Sequence, residues 1–117
     1  MSQQQNPVNT YTKLVAYINI ACQKGAYNLD DAFILLQSFE SLKSFLEQFV
    51  ISNKPVAADF NKQNLEQKLN NILLGLEKGC RAGAYGFEQA AEAKVVHTQM
   101  LQCLKDKFEE KEVEVIN

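Results

Sequence analysis

The chain has 117 residues, 46% of them hydrophobic and 22% charged, enough apolar content for one domain with its own core and no metal or disulfide scaffold. Its 12 basic and 14 acidic residues leave a net charge of −2, so no global field draws in a nucleic-acid backbone or an anionic lipid surface, which argues against general nucleic-acid binding. No apolar run approaches the roughly 20 residues that span a bilayer, and residues 1–6 carry neither the positive start nor the apolar stretch of a secretory signal; this predicts a soluble intracellular protein without membrane insertion.

Residues 1–8 are rich in Gln and Asn and are expected to stay mobile until they dock on a partner. A helix is predicted over 9–24, where Leu14, Ile18, Ala21 and Gly25 follow the four-three rhythm of a helical seam. Gly25 suits the left-handed residue just past a helix end, because it has no Cβ to clash there. Asn28 then caps a second helix predicted over 29–51, with Asp30 and Asp31 in its first turn against the positive end of the dipole. Tyr27, one residue before the cap, is placed to pack back on Ala32 as a hydrophobic staple. The second helix carries its seam on Ala32, Leu35, Phe39, Leu42, Leu46 and Phe49, and Ser52-Asn53-Lys54-Pro55 ends it.

The second half of the chain repeats the first. Cys22-Gln-Lys-Gly-Ala-Tyr-Asn-Leu-Asp-Asp-Ala32 recurs as Cys80-Arg-Ala-Gly-Ala-Tyr-Gly-Phe-Glu-Gln-Ala90, an offset of 80 − 22 = 58 residues with five of eleven positions identical. Helices are therefore predicted over 61–82, on Leu65, Leu69, Ile72, Leu76 and Gly79, and over 87–110, on Ala90, Ala93, His97, Met100 and Leu104. Gly83 and Tyr85 take the roles of Gly25 and Tyr27, while Gly86 replaces the Asn28 cap. Residues 111–117 form a tail in which Val113-Glu114-Val115-Ile116 alternates in the manner of a strand. The fold class is all-α: two tandem hairpins, 9–51 and 61–110, in one four-helix, bundle-like domain.

Each group with chemical potential has a structural reading that outweighs the functional one. Cys22, Cys80 and Cys103 are an odd set without a Cys-x-x-Cys pair, expected to be reduced and buried, and a zinc site would have to gather them with His97 from across the chain. His97 stands where the first copy has Phe39, so it is expected in the core, neutral and destabilising when charged. Asp30 and Asp31 are accounted for by the helix start. Gly75, Gly79 and Gly83 form a small-residue ladder that favours close helix contact, and no phosphate-binding loop is present. No catalytic, cofactor-binding or metal-ligating residues are assigned and no cofactor is implied. The chain is not expected to be an enzyme.

Apolar groups off the seams carry the functional reading. Tyr17, Phe33, Phe45, Ile51 and Phe60, with Ile20 and Val50, exceed what four short helices would bury, which predicts contact with another protein, either copies of this chain in a homo-oligomer or a larger assembly. A regulatory adaptor that holds a partner's helix in a groove is the alternative. The element Gly25-Ala26-Tyr27-Asn28-Leu29-Asp30-Asp31-Ala32 resembles a Gly-Ala-Tyr/Phe-x-Leu-(Asp/Glu)-Glu-Ala turn of small proteins encoded by large double-stranded DNA viruses and tailed phages. The second copy departs from it at Gly86, Phe87 and Gln89. The resemblance implies a viral structural or accessory protein, a minor component of the particle, and assigns no functional residue.

Overall fold

Four helices make up most of the computed structural model, which describes residues 6–116, with side chains described through residue 109. Residues 1–5 of the polar N-terminal segment, and residue 117, lie outside the described residues. Helix α1 spans Pro7–Gln23, α2 Leu29–Phe45, α3 Lys62–Arg81 and α4 Phe87–Ile116. A π-helical turn, Leu46–Ile51, continues α2. It closes at Asn53, whose φ of 56° is the left-handed conformation that Asn tolerates, just ahead of Pro55.

Local chemistry explains the ends. The Asn6 side chain accepts from the Val8 and Asn9 amides, and Pro7 follows at the first helical position, where its missing N–H costs nothing. Asn28 and Asp31 form a reciprocal capping box at the start of α2, and Asn61 caps α3 by accepting from the Asn64 amide. Gly86 has no side chain to offer, and only the returning half of the box survives at α4, from the Gly86 amide to Gln89 Oε1. Both α1 and α3 end in a Schellman motif. Gly25 and Gly83 sit at φ of 82° and 81°, and the Ala26 and Ala84 amides bond the Ala21 and Gly79 carbonyls at 3.0 Å each.

The strand-like alternation at the C-terminus does not make a strand. The backbone of α4 stays helical through Ile116, beyond the expected end near residue 110. With no strand among the described residues to pair with, an extended segment leaves its backbone groups unmet, whereas a helix satisfies them locally.

The hairpins interlock. α2 packs chiefly on α3 and α4 on α1, while α1 makes few contacts with its own partner α2. α1 and α3 lie side by side and parallel, with Ile18 against Gly75 and Ala21 against Gly79. α2 runs antiparallel to α3 through Asp31 to Lys78, Leu35 to Gly75 and Ser38 to Asn71. A two-fold relation carries residue n onto n + 58 at the junction of the hairpins, where Ala21 faces Gly79, its own repeat mate. The Tyr27 hydroxyl donates to the Gly75 carbonyl at 2.8 Å, and the Tyr85 hydroxyl donates to the Tyr17 carbonyl at 2.6 Å.

The symmetry is broken in residue size where the hairpins meet. A Cβ added to Gly75 would lie 2.8 Å from Leu35 Cδ2. The mates of these two positions are Tyr17 and Ala93, so small-against-large on one side becomes large-against-small on the other. Gly79 admits Tyr85 beside Ala21 by the same means, and both glycines are buried. The ladder ends there, because Gly83 lies past the end of α3 and serves the turn alone.

The seams form the core: Leu14, Ala21, Leu42, Ile72, Met100 and Leu104 are each at most 2% exposed. The far end of the bundle is closed by aromatic rings. Phe45 lies 5.2 Å from both Phe49 and Phe60 and 5.4 Å from Phe108 between centroids, and Lys62 Nζ sits 5.3 Å from the Phe108 centroid.

Candidate interaction surface

The five side chains expected at a partner contact divide into two groups. Phe33 and Ile51 are each 60% exposed. Tyr17, Phe45 and Phe60 are not available. Tyr17 is buried, its hydroxyl donating to Glu92 Oε1 at 2.6 Å and its ring meeting Tyr85 edge-on. Phe45 is 2% exposed at the centre of the ring cluster, and Phe60 is half-buried within it. A seam counts one stripe per helix, but in this bundle each helix touches at least two others. Residues beside the stripe are buried by the second neighbour. Ile20 and Val50 are likewise half-buried against the core.

The thiols also differ from expectation. Cys22 and Cys80 are exposed, because the last turns of α1 and α3 carry them onto the outer edge of each hairpin; Cys103 is half-buried. Burial raises the Cys103 thiol above its ordinary pKa, and Asp106 adds to the effect. His97 is 5% exposed as expected, with Nε2 2.9 Å from the Leu69 carbonyl, so this nitrogen carries the proton. Desolvation lowers its pKa, opposed by the hydrogen bond to Leu69.

The phenols at the hairpin junction behave as donors. Burial pushes Tyr17 and Tyr85 up to about 12, and pushes Tyr27 higher still, with the neighbouring Tyr85 as its second cause. A phenol so shifted is neither base nor nucleophile near neutrality. Among the described residues no group of three or more His, Cys, Asp and Glu side chains is gathered to hold a metal ion, and no helix is long and apolar enough to cross a membrane.

What distinguishes the two hairpins is their outer surface. α1 carries one charged residue, Lys13, among 17; its repeat mate α3 carries six among 20. Because α1 and α2 touch little, a groove opens between them, lined by Tyr11, Val15, Asn19, Cys22, Ala32 and Leu36. The repeat-related groove between α3 and α4 has Glu77 where the first has Asn19, and Lys94 where the first has Leu36. Along the rim of the first groove Leu29, Phe33 and Leu36 are 89%, 60% and 56% exposed, spaced to follow one side of α2. The fold does not require uncharged residues at the positions of Asn19 and Leu36, since the other hairpin builds the same element with Glu77 and Lys94.

A third groove, between α2 and α3, is crossed by an ion pair. Lys78 Nζ lies 2.6 Å from Asp31 Oδ2, and this bond, with the Asn28 amide, holds the Asp31 carboxyl below its ordinary pKa. Comparison with protein families, curated proteins and solved structures finds no match for this chain.

Proposed function

We propose that the protein is a non-enzymatic, helical assembly protein that packs against copies of itself or against a larger particle, as a minor structural component of a virus. The observation that carries this reading is the run of large apolar side chains left in water along α2, Leu29, Phe33 and Leu36, beside the nearly uncharged α1. The viral setting rests on the Gly25–Ala32 turn. Absolute mass by light scattering across a concentration series tests self-assembly: a defined multiple of 13.2 kDa that persists on dilution and in reductant supports it, and a monomer at every concentration overturns self-assembly.

The groove between α1 and α2 favours one second reading. Its length over Tyr11 to Cys22 matches about three turns of helix, which suits an adaptor that holds a partner's amphipathic helix. Such an adaptor stays monomeric until its target is added.

A further inference from the structure

Each hairpin ties its two helices with a side-chain to backbone bond at the same repeat positions, but the donors differ. In the first hairpin the Tyr11 hydroxyl of α1 donates to the Phe39 carbonyl of α2 at 3.4 Å. In the second, His97 of α4 stands at the mate of Phe39, and its Nε2 donates to the carbonyl of Leu69, the mate of Tyr11, at 2.9 Å. The same pair is joined in the reverse direction. A phenol, which keeps its proton in acid, has been exchanged for an imidazole, which gains a charge there.

We infer that α4 is an acid-released strap: when His97 takes up a second proton, α4 leaves α3 and α1 while α2 and α3 stay paired. The ring is 5% exposed, so the charged form would have to place its Nδ1 proton within the core. The groups around it do not compensate. Lys94, one turn before it on α4, disfavours the charged ring further. On α3 the charged residues flanking Leu69 are Glu66, exposed, and Lys68, half-buried; on α1 Lys13 lines the groove with α4 that also holds Glu92. Neither carboxylate is among the groups that act on the ring.

The ties elsewhere are indifferent to mild acid. Tyr27 to Gly75, Asn71 to Ser38 and the Asp31–Lys78 ion pair hold α2 on α3, and the Asp31 carboxyl already lies below its ordinary pKa. These two helices keep the most extensive pairing of the fold without α4 between them. Along residues 87–106 of α4 the side-chain bonds to other helices are His97 to Leu69 and Tyr17 to Glu92. Release would draw Phe108 away from Phe45 and bare Val96, Met100 and Leu104, each at most 2% exposed when α4 is docked.

Amide hydrogen exchange of the full chain between about pH 7.5 and about pH 5, corrected for the intrinsic pH dependence of exchange, tests the strap. Protection over 93–104 is expected to fall below about pH 6.5 by a factor approaching about ten per pH unit, the limit for one proton taken up on opening, while protection over 35–45 and 65–78 holds. His97→Gln keeps a donor toward Leu69 and cannot titrate, and His97→Phe installs the residue of the mate. In both, the acid step over α4 should vanish, and in Glu92→Gln it should persist. Protection lost from α2, α3 and α4 together means that acid unfolds the whole domain and overturns the strap. So does protection over α4 that ignores pH, or an acid step that outlives both His97 variants or disappears with Glu92→Gln.

Discussion

Tyr27 and Tyr85 hold the two hairpins together by the same bond made twice in opposite directions. Each hydroxyl crosses to the other hairpin and donates to the carbonyl of a helix residue, Gly75 for one and Tyr17 for the other. These carbonyls are themselves repeat mates, so the junction is two-fold in its hydrogen bonds although not in its side chains.

Tyr27→Phe and Tyr85→Phe each remove one such donor, and each is expected to cost about 0.5–1.5 kcal/mol. The phenols lie close enough to influence each other's ionisation. The double variant should therefore depart from additivity in a denaturant-melt cycle, and strictly additive losses would mean the two bonds are independent.

Gly79→Ala drives a methyl to 2.8 Å from the Ala21 Cβ, which has no rotamer to yield with. A loss of about 1–3 kcal/mol is expected. Ala21→Gly in the same chain should recover part of it, since it vacates that space, and failure of the rescue would place the strain elsewhere.

His97 has a lowered pKa in the folded protein, so the unfolded chain binds its proton more readily. Stability is then expected to be full above the unfolded value of about 6.5 and to fall as pH drops from there toward the folded pKa. His97→Phe, the residue its mate Phe39 already provides, should flatten this part of the stability profile. An unchanged slope between pH 7 and 5 would assign the acid sensitivity to other groups.

Leu42→Asp puts an unpaired charge at a position 1% exposed and should abolish folding. Phe60→Asp, on a ring that looks like a surface group in the sequence, is expected to destabilise as well, by about 1–3 kcal/mol, because it opens the cluster around Phe45. A melt of the Phe60 variant that matches the parent would take that ring out of the core.

In dilute native protein Cys22 and Cys80 should react with a thiol reagent within the same time range, and Cys103 should lag behind both. Equal rates at all three would mean that α4 opens at Cys103 under native conditions.

Much of the fold is legible in the sequence because its signals are local. The Gly25 and Gly83 turns, the Asn28 cap and the seams through Leu14, Leu42 and Leu76 each rest on residues a few positions apart. Asn6-Pro7 also marks a helix start, two residues ahead of the one read from the apolar rhythm. Which helices touch is not local. The pairing of α2 with α3 depends on Gly75 meeting Leu35, forty residues apart in the chain, and the rings that cover Tyr17 and Phe45 include Tyr85 and Phe108, each more than sixty residues away. The exposure of Cys22 is not legible locally for a related reason: α1 turns that edge toward a groove which α2 does not fill. The rim of Leu29, Phe33 and Leu36 gains its meaning only from comparison with the other hairpin, where exposed Phe87 keeps the first position apolar but Ala91 and Lys94 replace the other two.

A chain that builds the same kind of hairpin twice risks joining the wrong halves while it folds, above all on crowded ribosomes where neighbouring chains offer duplicates. The exchange of sizes between Gly75 with Leu35 and Tyr17 with Ala93 works against that error. Two first hairpins would drive a tyrosine into a leucine, and two second hairpins would leave a hole between a glycine and an alanine. Only the mixed pair fits, and in a newborn chain the mixed partner is the one tethered ten residues away, from Ser52 to Asn61.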